Sequence, residues 1–327
     1  VTADSVAVVV PVFNKIHCLR EAAASIIEAT RAESGVDLRF VDNGSTDGSL
    51  ELLQSMAPVG AIIGSTARTI AAVRNEGARQ ANGRILLFLD CDVLVPRDYI
   101  ARVRRVFADP SIAASGCECG LPPAPRWVER TWYRLTVREE SGFRHYINSA
   151  AFAIRRALFE EVRGFPEELV TAEDYEICRR LVARGHKLWQ AGELRVAHLD
   201  NPKTVGQFVR KSYWHGLGAA RAAPRGRVNL PTAAAAAHLL SSTAALLMLI
   251  VGLVKRDAGA ALGAAAAIMI VPLAVYAYRC LQVRRVVAPF RGLLLVQLFL
   301  LARAGALLSV VVGRGGRTGG RIAPRAR

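Results

Sequence analysis

Acidic residues are nearly missing from one end of this 327-residue chain. Residues 230–327 hold a single acid, Asp257, against twelve Lys and Arg. The remainder holds 31 basic and 26 acidic residues, an ordinary globular balance. Aromatics are few, at 7%, and no heptad or Gly-X-Y repeat occurs, which excludes a coiled coil and a collagen-like rod. Six cysteines (Cys18, Cys91, Cys117, Cys119, Cys178 and Cys280) lie scattered through a long chain, which argues against a disulfide scaffold. Cys117-Glu118-Cys119 is too tightly spaced for the common zinc pattern and has no second pair. The first ten residues carry Asp4 and run into a strand pattern rather than a leader, which predicts that the N-terminal domain stays in the cytosol.

Apolar residues are abundant, at 52%, with a mean hydropathy of +0.25 beside a net charge of +16. That excludes a disordered polymer. Hydropathy and charge are both high because they occupy different places. Most of the basic excess flanks apolar runs, which is the membrane pattern. A nucleic-acid binder spreads its cations over an exposed face, often among aromatics, so nucleic acid is not an expected partner.

Val6–Phe13 (VAVVVPVF) is a β-branched run that predicts a strand buried on both faces. Residues 16–32 follow with helical spacing, and Leu38–Val41 predicts a second strand. The turn formers Asp42-Asn43-Gly44-Ser45-Thr46-Asp47-Gly48 end it, with Asp47 placed to close an Asx-type turn, and Ser49–Met56 returns to helix. Ala61–Gly64, helical Thr69–Asn82 and Arg84–Leu89 complete four alternations in about 100 residues. The fold class is therefore α/β with a mainly parallel sheet. In such sheets ligands bind beyond the carboxyl ends of the strands. Three ends carry polar loops, 13–15, 42–48 and 90–92, which converge on one crevice if their strands are neighbours. Further on, the pattern predicts strands at Asn148–Ile154, Leu188–Trp189 and Leu194–Ala197, and helices at Ala157–Val162 and Glu173–Arg184.

Three apolar stretches follow, Thr232–Val254, Ala258–Tyr278 and Leu293–Gly313, each about the twenty residues that span a bilayer. The first two form a tight helical hairpin, separated by Lys255-Arg256-Asp257. Arg303 interrupts the third near its middle, where a charge costs several kcal/mol unless paired or snorkelling. Arg279, Arg284, Arg285 and Arg291 place the loop after the second span in the cytosol. Three spans put the basic tail outside, whereas two spans and an interfacial or re-entrant third segment keep it inside. Apolar length favours three. Phe208, Tyr213 and Trp214 among Arg210, Lys211, His215 and Arg221 read as an interfacial segment before the spans.

Asp90-x-Asp92, just past a buried strand, offers two carboxylates at i and i+2 to one hard divalent cation such as Mg²⁺ or Mn²⁺. Thr171-x-x-Asp174, read locally, is a helix capping arrangement. Arg74 and Asn75, by residue type, read as an exposed helix pair. His198, alone at a strand end, reads as structural.

VAVVVPVFNK, VDNGSTDGS, VRNEGARQANGRILLFLDCDV and NSAAFAIRRALFEEVRGFPEELVTAEDYEICRRLVARG, in this order over residues 6–200, resemble family-2 glycosyltransferases. The resemblance implies a nucleotide-diphospho-sugar-binding, GT-A-like domain that transfers a sugar with inversion. It places Asp42, with Pro11, Phe13 and Asn14, at the nucleoside, and Arg74 and Asn75 at ribose or phosphate. Asp92 becomes the metal ligand, with Asp90 on ribose or metal, and His198 completes the site. Asp174 becomes the general base for the acceptor hydroxyl and Glu173 its neighbour, while Arg210 and Lys211 reach the diphosphate. Departures exist. Asn43 stands where many relatives carry Asp, Arg163 where they show Gly, and Gln207-x-x-Arg210 lacks the Trp that follows directly in processive synthases.

The expected organisation is a cytosolic glycosyltransferase domain at 1–200, an amphipathic basic linker at 201–230, a membrane region of two or three helices at 231–313 and a basic tail at 314–327. The expected enzyme is a multi-pass protein of the cytoplasmic membrane, with Mn²⁺ or Mg²⁺ as cofactor. Its donor is a nucleotide-diphospho-sugar and its acceptor is lipid-linked or membrane-associated. The alternatives are a polyprenyl-phosphate sugar synthase, whose lipid phosphate nucleophile needs no base, and a catalytically silent membrane scaffold.

Overall fold

The computed structural model describes residues 5–138, 140–169, 171–222 and 229–313. The basic tail 314–327 and residues 223–228 of the linker lie outside these. Two compact units form: residues 5–124 with 138–201, and residues 125–137 with 202–313.

In chain order the elements up to residue 198 are β1 (Val6–Val12), α1 (Ile16–Arg31), β2 (Val36–Asp42), α2 (Ser49–Met56), β3 (Ile62–Gly64), α3 (Ile70–Gln80), β4 (Ile85–Leu89), β5 (Val93–Leu94), α4 (Tyr99–Phe107), β6 (Ile112–Gly116), α5 (Trp127–Thr136), β7 (Gly142–Arg144), β8 (Ala151–Arg155), α6 (Arg156–Glu161), α7 (Glu173–Ala183), β9 (Lys187–Gln190) and β10 (Ala197–His198). All but α5 belong to the first unit.

One sheet runs β3-β2-β1-β4-β8-β6-β9-β7. Six of its eight strands point one way, and β7 and β8 run against them. The sheet is thus mixed and mainly parallel. Every residue of β1 is buried, because β1 is central and covered on both faces. Val6, Val8, Val10 and Val12 join Leu19, Ile26 and Ile27 in one core, while Ala7 and Val9 join Ala71, Val73 and Ala78 in the other. That two-sided burial is why β1 reads as an unbroken apolar run rather than an alternation.

Helix α3 lies against the sheet at Gly77. A Cβ there would stand 2.4 Å from Val9 Cγ1 and 2.8 Å from Val41 Cγ2. Gly77→Val is therefore expected to destabilise the first unit by about 1–3 kcal/mol. It should also shift α3, which carries Arg74 one turn away. Denaturant midpoints of the purified protein check this, and an unchanged midpoint would mean that the close approach is not a constraint.

Leu194–Ala197 does not form the expected strand. Only Ala197 and His198 pair, antiparallel to β5. Leu194 instead turns back, its N–H donating to Ala191 O at 3.1 Å, and its side chain is buried. All six cysteines are free thiols.

The second unit contains α5, α8 (Val205–Ala222), α9 (Leu230–Lys255), α10 (Gly259–Gln282) and α11 (Pro289–Val311). The last three have a mean hydropathy of 2.1 in their most apolar windows and are long and apolar enough to cross a membrane. Their 26, 24 and 23 residues give about 35–39 Å at the helical rise, against a hydrocarbon core of about 30 Å. Between α9 and α10 the chain turns within three residues, through Arg256 at φ 53°. Residues 205–222 of the expected linker form one helix, α8, lying along α11. Tyr213 Oη donates to Ser309 Oγ at 2.9 Å, and Gly216 lets Arg303 approach. The Arg303 guanidinium stacks over Phe299 at 5.0 Å from the ring centroid. The charge that interrupts the third apolar run therefore borders α8.

Candidate active site

The loops after β1, β2 and β4 share one end of the sheet, because β2, β1 and β4 are adjacent and parallel. The expected convergence of 13–15, 42–48 and 90–92 follows. Pro11 pairs with Val41 within β1 and β2, and Phe13 is half-buried where β1 ends. Asn14 takes a left-handed φ of 51° and stitches two loops together. Its N–H donates to Ser45 Oγ at 3.1 Å, and its Oδ1 accepts from Thr46 N–H at 2.8 Å. Asp47 closes the Asx turn, with Oδ1 accepting from Ser49 N–H at 3.0 Å. Asp42, buried, accepts from the N–H groups of Gly44 and Ser45 through Oδ2, each at 3.1 Å. Its Oδ1 has no hydrogen-bond partner among the described residues, so one buried carboxylate oxygen remains a free acceptor.

Asp90, Asp92 and His198 each offer one potential ligand atom, and these atoms all lie within 4.8 Å of one another. Local pairing explains the third member. His198 pairs with Val93, the residue after Asp92, and Leu199 N–H donates to Asp92 O at 2.8 Å. The β5–β10 ribbon thus carries an imidazole from 106 positions along the chain to 3.5 Å from Asp92 Oδ1.

Lys15 Nζ donates to Asp92 Oδ2 at 2.7 Å and to Asp200 Oδ2 at 2.6 Å. Burial disfavours the charged ammonium, yet Asp92 and Asp200 outweigh it and hold its pKa above the usual lysine range. Burial likewise works to raise the pKa of Asp200, but Lys15 holds it below the usual range.

Arg74 joins the two acidic constellations. Its Nη2 donates to Asp90 Oδ1 and its Nη1 to Glu173 Oε1, both at 2.7 Å. The guanidinium also lies over Phe165, 5.5 Å from the ring centroid. Arg74 and Asn75 are 2% and 7% exposed, so the exposed-pair reading does not hold. Asn75 is spent on the turn before α7: Nδ2 donates to Phe165 O at 2.8 Å, and Oδ1 accepts from Phe165 N–H at 3.0 Å. Burial and neighbouring Asp174 push the Glu173 pKa up, against the pull of Arg74.

The capping arrangement at Thr171 is absent. Helix α7 starts after Ala172, which sits at φ 67°, and no side chain caps it. Asp174 is held otherwise: Oδ2 accepts from Tyr146 Oη at 2.8 Å and Oδ1 from Tyr175 N–H at 2.8 Å. Tyr146 and Tyr175 are 40% and 50% exposed. Arg210 and Lys211 lie exposed on α8, in the second unit. The sequence places Lys15 in the 13–15 loop but not its partners, and Asp200 and Tyr146 escape the sequence reading altogether, because nothing local distinguishes them from surface residues.

The chain is 24% identical to the glycosyltransferase AglE of Haloferax volcanii over 237 residues, 70% of this chain and 77% of that one. It is 27% identical to the pre-mycofactocin glycosyltransferase of Mycobacterium tuberculosis over 229 residues, 66% of this chain but only 47% of that protein. Among solved structures it is similar in fold to the mannosyltransferase PcManGT from Pyrobaculum calidifontis, described with GDP-Man and Mn²⁺. The TM-score is 0.60 and the identity 22%, over 93% of this chain and 86% of that one. Residues 7–163, which run from the first buried strand through the Asp90–Asp92 loop and β8, match glycosyl transferase family 2, and this chain carries a nucleotide-sugar-dependent glycosyltransferase domain of that family.

Proposed function

We propose that this enzyme transfers a sugar, with inversion, from a nucleotide-diphospho-sugar to a hydroxyl of a lipid-linked or membrane-associated acceptor, and that it depends on Mn²⁺ or Mg²⁺. The observation that carries the reading is the Asp90–Asp92–His198 cluster at the crevice end of the parallel strands. Two carboxylates and an imidazole suit Mn²⁺, and the carboxylates suit Mg²⁺. When bound there, the ion neutralises charge that builds on the departing diphosphate. The GDP-Man and Mn²⁺ of PcManGT support this donor and cofactor class.

The chain's own groups take the remaining roles. The free Oδ1 of Asp42 accepts an N–H or O–H of the nucleoside, beside Pro11, Phe13 and Asn14. Arg74 fixes Asp90 and Glu173, and Asn75 fixes the turn that delivers α7. Asp174 takes the proton from the attacking hydroxyl, with Glu173 adjacent and held away by Arg74. The three apolar helices hold the enzyme in the cytoplasmic membrane, and Arg279, Arg284, Arg285 and Arg291 favour a cytosolic face for the catalytic unit.

The test is release of nucleoside diphosphate by detergent-purified protein. UDP-, GDP- and dTDP-sugars are supplied with a membrane lipid extract, with and without Mn²⁺ or Mg²⁺. Asp92→Asn is expected to lose at least about 10²-fold in turnover together with its Mn²⁺ binding. Undiminished release in the presence of a chelator would sink the metal-dependent reading.

A further inference from the structure

We propose that the Lys15 ammonium is a resident cation of the Asp90–Asp92–His198 cluster that weakens divalent-ion binding until a nucleoside diphosphate arrives, so that metal and nucleotide bind cooperatively. This rests on the reading of that cluster as a metal site.

Asp92 is shared. Its Oδ2 is held by Lys15 Nζ at 2.7 Å, while its Oδ1 faces His198 Nε2 at 3.5 Å, inside the candidate ligand set. The Asp92 side chain is 7% exposed, so the two oxygens cannot reorient freely into water.

Lys15 is itself fixed where it begins. Its N–H donates to Ser49 Oγ at 2.9 Å, and its carbonyl accepts from the N–H groups of Cys18 and Leu19 at 3.0 and 2.9 Å. Asn14 before it is pinned to the 42–48 loop. The side chain reaches carboxylates 77 and 185 positions away in sequence, and Asp200 also faces His17 Nε2 at 3.4 Å. Arg74 is bonded to Asp90 and Glu173, on the neighbouring member of the cluster. Lys15 is bonded to Asp92 itself, so its charge opposes a metal there.

An ammonium and a divalent ion on the two oxygens of one carboxylate stand only a few ångströms apart, and a half-buried site screens their repulsion poorly. A diphosphate changes the balance. Its oxygens give the ammonium, a compact charge on a flexible stem, a second anion to turn to. Asp200 keeps the ammonium nearby, and Asp92 is left to the metal. Linkage then requires that metal and nucleotide raise each other's affinity by the same factor.

Mn²⁺ binding to the full chain in detergent, followed by electron paramagnetic resonance with and without GDP or UDP, tests this. Wild type should bind Mn²⁺ weakly alone and more tightly with the nucleotide of its donor. Lys15→Met should bind Mn²⁺ alone about tenfold tighter and lose a similar factor of nucleotide coupling. Lys15→Arg, which keeps the charge, should behave as wild type. If Lys15→Met does not fold by thermal melting, Asp200→Asn serves instead. It leaves the ammonium to Asp92 alone, so Mn²⁺ should bind more weakly while nucleotide still restores it. Equal or weaker Mn²⁺ binding by Lys15→Met, or equal nucleotide enhancement in both proteins, overturns the inference and leaves the metal reading intact. No Mn²⁺ binding by any protein under any condition overturns both.

Discussion

Asp174→Asn is expected to slow transfer to a hydroxyl acceptor by about 10²–10⁴-fold, with Mn²⁺ and nucleotide binding essentially unchanged. The amide keeps the shape of the carboxylate but takes no proton. It also meets three donors, since Tyr146 Oη, Tyr175 N–H and Ser149 N–H all point at Asp174 oxygens, at 2.8, 2.8 and 3.4 Å. One of those contacts becomes donor against donor, a local cost of about 1–3 kcal/mol at the start of α7. Thermal melting separates that cost from lost chemistry. The kinetic signature of a lost base is a fall in kcat with an unchanged KM for the donor. Turnover that survives the substitution with a polyprenyl phosphate acceptor would instead identify the nucleophile as a phosphate already ionised, and would remove Asp174 from the chemistry.

Much of this site was legible because its parts are local. The run Val6–Phe13 announces a central strand, since only a strand covered on both faces can be apolar throughout. Ser49–Met56 forms the expected helix, and Asp47 closes the expected turn. The order β2-β1-β4 then brings three polar loops to one crevice. What stayed hidden depends on residues far apart in sequence. Lys15 belongs to the 13–15 loop that the sequence does bring to the crevice, but its partners lie 77 and 185 positions away. Thr171 failed as a cap because local capping rules cannot foresee a non-glycine residue held at positive φ, as Ala172 is at 67°. Helix α5 lies in sequence among catalytic elements, yet its Val128 and Leu135 join Leu295, Val296 and Leu300 of α11 in a separate core. Its amphipathic face shows that it needs a partner and does not say which.

Arg74→Met should cost about 3–5 kcal/mol of stability. The cost is not the missing bonds alone. It is that Asp90 and Glu173 stay behind with no counter-charge, and Glu173 is 6% exposed. The pH dependence gives this mechanism a sign. The Glu173 pKa is already raised above 4.5 by burial and Asp174, against the pull of Arg74, and removing that pull raises it further. A carboxyl whose folded pKa lies above its unfolded value favours the fold when protonated, and this contribution is lost as pH rises through the folded pKa. The deficit of Arg74→Met relative to wild type should therefore be largest at about pH 8 and shrink towards about pH 5. Adding Glu173→Gln should recover part of the loss at the higher pH, since the stranded charge is gone. Arg74→Lys should fall between, because one ammonium cannot bridge both carboxylates as the planar fork does. Denaturant midpoints of the four proteins at both pH values decide the matter. A deficit that is the same at both, and that Glu173→Gln does not relieve, would mean that Arg74 stabilises by packing against Phe165 and not by charge. The two acidic constellations would then be coupled only through the backbone.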